Sequence, residues 1–285
     1  MTDPTALTYR EHLTDGDLAL LGEPGRLRGQ PDRIVERLAR PETYEAVFGT
    51  GGADEPFLRA PPFLPPSPFL TFAVAVHRAA EELGATTFTR EWVAPRQRVP
   101  VFDAHVLRDF VGDPLRRLFL VELLASYTHV ASGSVWVQTA RGWRRRRFSE
   151  LDPVRLASLL EVVDERDRPG VYRRLGDLAL FLTGVFPDHT ALHGLGGVGR
   201  SRLLRSGGLT DAEPDREAGG VSVLETLGPR WYRMAVRQVR GPLTGTMRAT
   251  AEMAARFPDA RRILNYVTDR FLFPFRSDWF GASGE

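Results

Sequence analysis

The amino-acid sequence predicts a mainly α fold, a helical domain carrying a single Arg-rich β-hairpin. Three observations carry that prediction. Apolar residues recur at helical spacing in several long stretches, each opened by a Ser-Pro or Asp-Pro pair or stopped by Gly or Pro. Only one segment, Ser134–Phe148, alternates like two paired strands. Nowhere does the chain alternate strands with helices, as a parallel sheet would require.

Taken in order, the first 48 residues read as short helices. Pro31–Leu38 has helical spacing, and Pro41 opens a further turn through Tyr44 and Val47. Residues 49–68 form a Pro/Gly-rich arm with polyproline II character. Its Phe57, Leu58, Phe63 and Leu64, with Phe69 just beyond, give the arm an apolar side, so it is expected to lie on the body of the protein.

Residues 69–150 are expected to form a helical module with the hairpin. Ser67 and Pro68 make an N-cap and first-turn pair, followed by apolar residues from Phe69 to Leu83 and a stop at Gly84. Thr86–Val93 is rich in β-formers and reads as one added strand. Asp103 caps a short helix ending at Gly112, and Asp113-Pro114 opens the next, running to about His129. The middle of that helix has no polar face, which makes it a buried element. Strands Ser134–Gln138 and Trp143–Phe148 then pair across Thr139–Gly142. The order helix, strand, helix, helix, hairpin resembles the layout of a winged-helix-like module.

Residues 151–285 form a C-terminal helical region. Asp152-Pro153 starts a helix through Val163, and Val171–Phe186 is a strongly apolar helix stopped by Pro187. Leu203–Gly220 is rich in glycine and charge and is expected to be a mobile loop. A last helix places Ala260, Ile263, Leu264, Val267 and Phe271 on one stripe.

Composition excludes several chemistries. The 285 residues include no lysine and no cysteine, so all 38 basic side chains are arginine. Schiff-base and phosphate-loop lysines, thiol nucleophiles and thiolate metal sites are therefore impossible. The formal charge is +2, and the pI near 9.3 reflects arginine's refusal to deprotonate more than any large excess of charge. Residues 101–150 hold 8 arginines against 5 acids, whereas residues 1–100 hold 11 against 14. The first residues lack the basic start and apolar stretch of a secretory signal, and no apolar run approaches a membrane span. The sequence leads us to expect a cytoplasmic protein without membrane contact, and it assigns no cofactor.

The positive charge gathers in the hairpin. Arg141 and Trp143-Arg144-Arg145-Arg146-Arg147 place five arginines within seven residues, where strand alternation divides Arg144 and Arg146 from Arg145 and Arg147. Guanidinium groups bind phosphate bidentately and stack on bases, so this is the anion-binding candidate, for nucleic acid or an acidic protein. The competing reading is a solvated edge guarded by charge against aggregation.

Three pairs stand at metal-ligand spacing: His77 with Glu81, His105 with Asp109, and His189 with His193. The Glu-x-x-His pattern of helix-bundle metal sites is absent, so no metal is assigned. Gly194–Gly199 matches G-x-G-x-x-G but follows a helix and Pro187, without the strand a dinucleotide site needs. Glu122 and Asp177 interrupt apolar helices and are expected to be buried carboxylates facing nearby arginines. No Ser-His-Asp motif is present. The sequence thus favours a non-enzymatic binding or regulatory protein, with a helical enzyme using His and carboxylate residues as the alternative.

Overall fold

Helices carry most of the described residues, as the sequence predicts, and two small antiparallel hairpins accompany them there. The structure is a computed structural model describing residues 11–21, 66–139, 142–192, 196–209, 220–239, 242 and 244–273. The expected helices around Pro31–Leu38 and Pro41, and nearly all of the 49–68 arm, lie outside the described residues. The chain divides into two compact units: Met1–Arg90, Pro100–Thr128 and Asn265–Glu285 form the first, and Glu91–Val99 and His129–Leu264 the second.

In the first unit, α1 (Asp15–Leu21) is tied to α2 (Pro68–Ala85) by the buried carboxylate of Asp17. Asp17 accepts the Ser67 N–H at 2.7 Å and both the N–H and hydroxyl of Thr14, at 2.9 and 2.8 Å. Ser67 caps α2 as expected, its hydroxyl oxygen accepting the Leu70 N–H at 3.1 Å. The helix buries every residue from Phe69 to His77 and continues one residue beyond Gly84, ending where Thr86 turns extended. Helix α3 (Ala104–Gly112) follows Asp103, which makes no side-chain cap bond to it. Asp113 opens α4 (Pro114–Ser126) by accepting from Leu115 and Arg116, and Leu118–Val121, Leu123 and Leu124 are buried as their pattern requires. The helix stops three residues short of His129. The hydroxyls of Ser126 and Thr128 donate to the carbonyls of Leu123 and Ala125, replacing bonds that a further turn would have made.

The strand expected at Thr86–Val93 is one half of a hairpin, β1 (Thr89–Ala94) and β2 (Gln97–Val101). The second strand escapes sequence reading because Arg98 and Pro100 break its apolar pattern. Arg96 sits at its tip with φ 59°, a left-handed conformation uncommon outside glycine.

The second unit also holds β3 (Ser132–Thr139) and β4 (Gly142–Ser149), the hairpin the sequence predicts. Next come α5 (Pro153–Ala157), capped by Asp152, and a 3-10 turn (Ser158–Glu161) where one continuous helix was expected. Then follow α6 (Arg168–Val185), α7 (Pro187–Leu192), α8 (Gly197–Ser206), α9 (Gly220–Arg237), α10 (Gly245–Ala255) and α11 (Phe257–Val267), whose residues from Asn265 on, with the π turn that continues it (Thr268–Leu272), belong to the first unit. The predicted C-terminal stripe, Ala260, Ile263, Leu264, Val267 and Phe271, is buried throughout. The expected loop over Leu203–Gly220 needs correction at its start. Residues Leu203–Ser206 complete α8, and Leu203, Leu204 and Leu209 are buried, because three leucines outweigh the glycines among them. Residues 210–219 lie outside the described residues.

Helices α6 and α9 make the most extensive helix contact of this unit, and glycine permits it. A Cβ on Gly176 would stand 2.5 Å from the Tyr232 ring, and one on Gly228 would collide with the Phe257 ring and approach Ala179 at 3.1 Å. Tyr232 and Phe257 are fully buried, so neither ring can retreat. Replacing Gly176 with Ala should therefore destabilise the protein by about 1–2 kcal/mol, overpacking outweighing alanine's better helix propensity. Gly170→Ala, on the same helix with nothing within 4 Å, should instead gain about 0.5–1 kcal/mol. Urea denaturation of both variants checks the contrast.

Candidate nucleic-acid interface on the Arg-rich hairpin

The register of β3 and β4 decides which side chains of the hairpin act together. Ser134 pairs with Arg147, Trp136 with Arg145, and Gln138 with Trp143. Partners directly opposite share a face, and every second residue along a strand returns to it. Trp136, Trp143, Arg145 and Arg147 therefore project from one side. Both tryptophans are 65% exposed, and Arg145 and Arg147 are exposed beside them. The Ser134 hydroxyl oxygen accepts the Arg145 Nε–H at 2.7 Å, which orients the guanidinium on this face. Among the described residues, no carboxylate pairs with Arg145 or Arg147. Arg141 lies outside the described residues, as do the side chains of Arg144 and Arg146.

The base of the hairpin is anchored. Glu150 accepts the Ala131 N–H at 2.8 Å and the Arg174 guanidinium at 3.3 Å, joining the strand ends to α6. Gly142 supplies the turn with φ 102°, where a side chain would be strained. An isolated two-stranded hairpin is marginal in water, so this anchor matters for presenting the face.

The two carboxylates singled out by sequence part company. Asp177 is buried, but its first partner is the Tyr232 hydroxyl, which donates at 2.8 Å; Arg173 stands at 3.9 Å. Glu122 is half-buried and faces His12, not arginine, at 3.2 Å. The expectation failed there because Arg116 and Arg117 are used elsewhere: Arg117 donates to the Val111 carbonyl at 2.7 Å, capping α3, and Arg116 stacks over the Phe110 ring. Sequence spacing placed arginine near Glu122 but could not show which acceptor it takes.

Among the described residues, the histidine pairs do not assemble. His77 is buried while Glu81 is exposed and paired with Arg78 at 2.8 Å. His105, Asp109 and His189 are exposed, and His193 lies outside the described residues. Among the described residues, no group of three or more His, Asp or Glu could hold a metal ion. Gly196 precedes α8, so the described part of the glycine motif enters a helix that follows a helix. Also among the described residues, no helix is long and apolar enough to cross a membrane.

Sequence reasoning missed Asp188, which clamps the tip of the β1–β2 hairpin. Its carboxylate accepts from Trp92 Nε1 at 2.6 Å and the Arg96 N–H at 2.9 Å, with Arg98 at 3.7 Å. Burial pushes its pKa upward, but these donors and the Arg98 charge outweigh it and hold the group below the ordinary value. Only the missed second strand could have pointed to it.

The chain matches no family model, no curated protein and no solved structure.

Burial, and then the charge of Arg117, hold the His77 pKa well below its ordinary 6.5. Folded His77 stays neutral while the unfolded chain takes up a proton below pH 6.5, so its contribution to stability is full above that pH and falls as the pH drops. Stability should decline by at most about 1.4 kcal/mol per pH unit from this group below pH 6.5. In His77→Gln, that part of the slope should vanish in denaturation curves measured from pH 7.5 to 5.

Proposed function

We propose that this chain is a non-enzymatic binding or regulatory protein that docks an anionic partner through the β3–β4 hairpin. The observation that supports this most is the shared face of Trp136, Trp143, Arg145 and Arg147, exposed and without carboxylate partners among the described residues. Three other arginines, Arg78, Arg155 and Arg166, sit against acids within 4 Å and show the alternative use. A hairpin that used charge only to guard its edge would not need two exposed indoles on the same side. The hairpin is the contacting element in this reading, because α4 buries the residues that a groove-reading helix would have to present.

Of the two anionic partners, nucleic acid fits better than an acidic protein surface. Aromatic rings beside guanidinium groups suit a polymer that offers both phosphates and flat bases. The alternative, a helical enzyme built on His and carboxylate residues, has less behind it, since the described members of the three pairs do not converge.

The experiment is a fluorescence-anisotropy titration of the intact protein with a labelled oligonucleotide at several salt concentrations. Native protein should bind with an affinity that falls steeply as salt rises. Changing Arg144, Arg145, Arg146 and Arg147 together to Ser should leave the circular dichroism spectrum unchanged and weaken binding. It should also flatten the salt dependence by about 0.7–0.9 for each phosphate that is no longer neutralised. Failure of native protein to bind at low salt overturns nucleic acid as the partner; unfolding of the quadruple variant shows that the arginines are structural.

A further inference from the structure

Building on the proposed anion-docking role of the hairpin, we infer that its partner is single-stranded nucleic acid, with Trp136 and Trp143 as base-stacking platforms and Arg145 and Arg147 on the phosphates. The register gives the arrangement. Trp143 lies two pairs nearer the turn than Trp136, on the opposite strand, so the two indoles are diagonal neighbours on one face. Arg145 stands directly across from Trp136, and Arg147 follows beyond it along β4. Bases laid on the tryptophans would run obliquely across the hairpin, and their phosphates would pass the two guanidinium groups.

Duplexes do not use such a face. Their bases are already stacked on each other and offer only polar edges, which call for amide, hydroxyl or guanidinium groups aimed into a groove. An exposed indole finds nothing to stack on there. A single strand offers a π-face at every nucleotide, and stacking on an aromatic side chain is tolerant of sequence. The Ser134–Arg145 bond at 2.7 Å supports the same reading. It engages Nε, so the guanidinium edge formed by the two terminal amino groups lies beyond the bond, where a phosphate can meet it bidentately. Ser134 is thus a positioning residue for Arg145. An acidic peptide would satisfy the arginines but leave the indoles idle, which is why the polymer of bases is preferred.

The test titrates the intact protein with four probes: oligothymidylate, oligouridylate of the same length, a DNA duplex, and heparin as a polyanion without bases. Tryptophan fluorescence should be quenched by both single strands, and each should bind more tightly than duplex or heparin; the tighter of the two names the natural polymer. Trp136→Ala and Trp143→Ala should each weaken single-strand binding roughly 5- to 150-fold, the loss of one stacked base, with an unchanged salt slope. Trp136→Phe and Trp143→Phe should restore most of it. Arg145→Ser and Arg147→Ser should do the opposite, each lowering the salt slope by about 0.7. Equal binding of heparin and single strands, or alanine variants that bind like native protein, would overturn the stacking inference while leaving anion docking intact. Absence of binding to all four probes at low salt would overturn anion docking itself.

Discussion

The second unit depends on how closely α6 and α9 approach each other. Two glycines, Gly176 on α6 and Gly228 on α9, remove the side chains that would keep the backbones apart. Into the space come the Tyr232 ring and the Phe257 ring, both fully buried. The hydroxyl of Tyr232 then reaches Asp177, one residue from Gly176, at 2.8 Å. A steric allowance and a buried hydrogen bond thus meet at one point, and each makes the other specific: the ring must lie flat on Gly176 for its hydroxyl to find Asp177. Leu264 rests on Gly184 further along α6, so α11 repeats the device. Because Pro229 follows Gly228 within α9, the helix lacks one internal bond at the same level, and tight packing has to compensate for it.

Arginine as the sole cation shapes the rest. Lysine's compact ammonium ends in a point, whereas a guanidinium fork can bridge carbonyls and carboxylates at once. The chain uses the fork for helix ends: Arg108 donates to the carbonyls of Leu83 and Thr86 at the close of α2, and Arg117 to that of Val111 in the last turn of α3. It uses it in the interior as well, where Arg262 meets Glu91 at 3.0 Å with both side chains largely shielded from water. Against this background a run of arginines in the sequence carries little meaning alone. What distinguishes Arg145 and Arg147 is that they share one hairpin face with two exposed tryptophans.

Local signals were the legible part. Ser67, Asp113 and Asp152 announced helix starts because a short polar side chain before proline has one good use, accepting the first free N–H groups. The Ser134–Phe148 hairpin was legible for a similar reason, since its strands pair across a turn closed by glycine. What sequence could not show was the choice among equivalent partners. Glu122 had arginines within a turn and took His12; Asp177 kept Arg173 at 3.9 Å but takes its shorter bond from a tyrosine fifty-five positions away. The loop expected at Leu203–Gly220 failed differently. Average polarity hid three leucines, and burial answers to particular residues rather than to averages.

The same distinction bears on the hairpin face. Burying an indole is among the larger apolar gains open to a folding chain, and this chain has buried Trp231 completely. Trp136 and Trp143 remain 65% exposed although each could have been polar at no loss to pairing, since tryptophan's strand preference draws on packing that an open face does not provide. Exposed aromatics on an edge hairpin also invite association between copies, which the neighbouring arginines oppose by charge. Charge that keeps like faces apart is also charge that draws an anionic partner in. In the docking role proposed above, both functions would use the same atoms, and the exposed indoles would be put to use when a polyanion arrives. The register sets this face apart: the indoles share it with Arg145 and Arg147, whereas Arg144 and Arg146 hold strand positions of the opposite face.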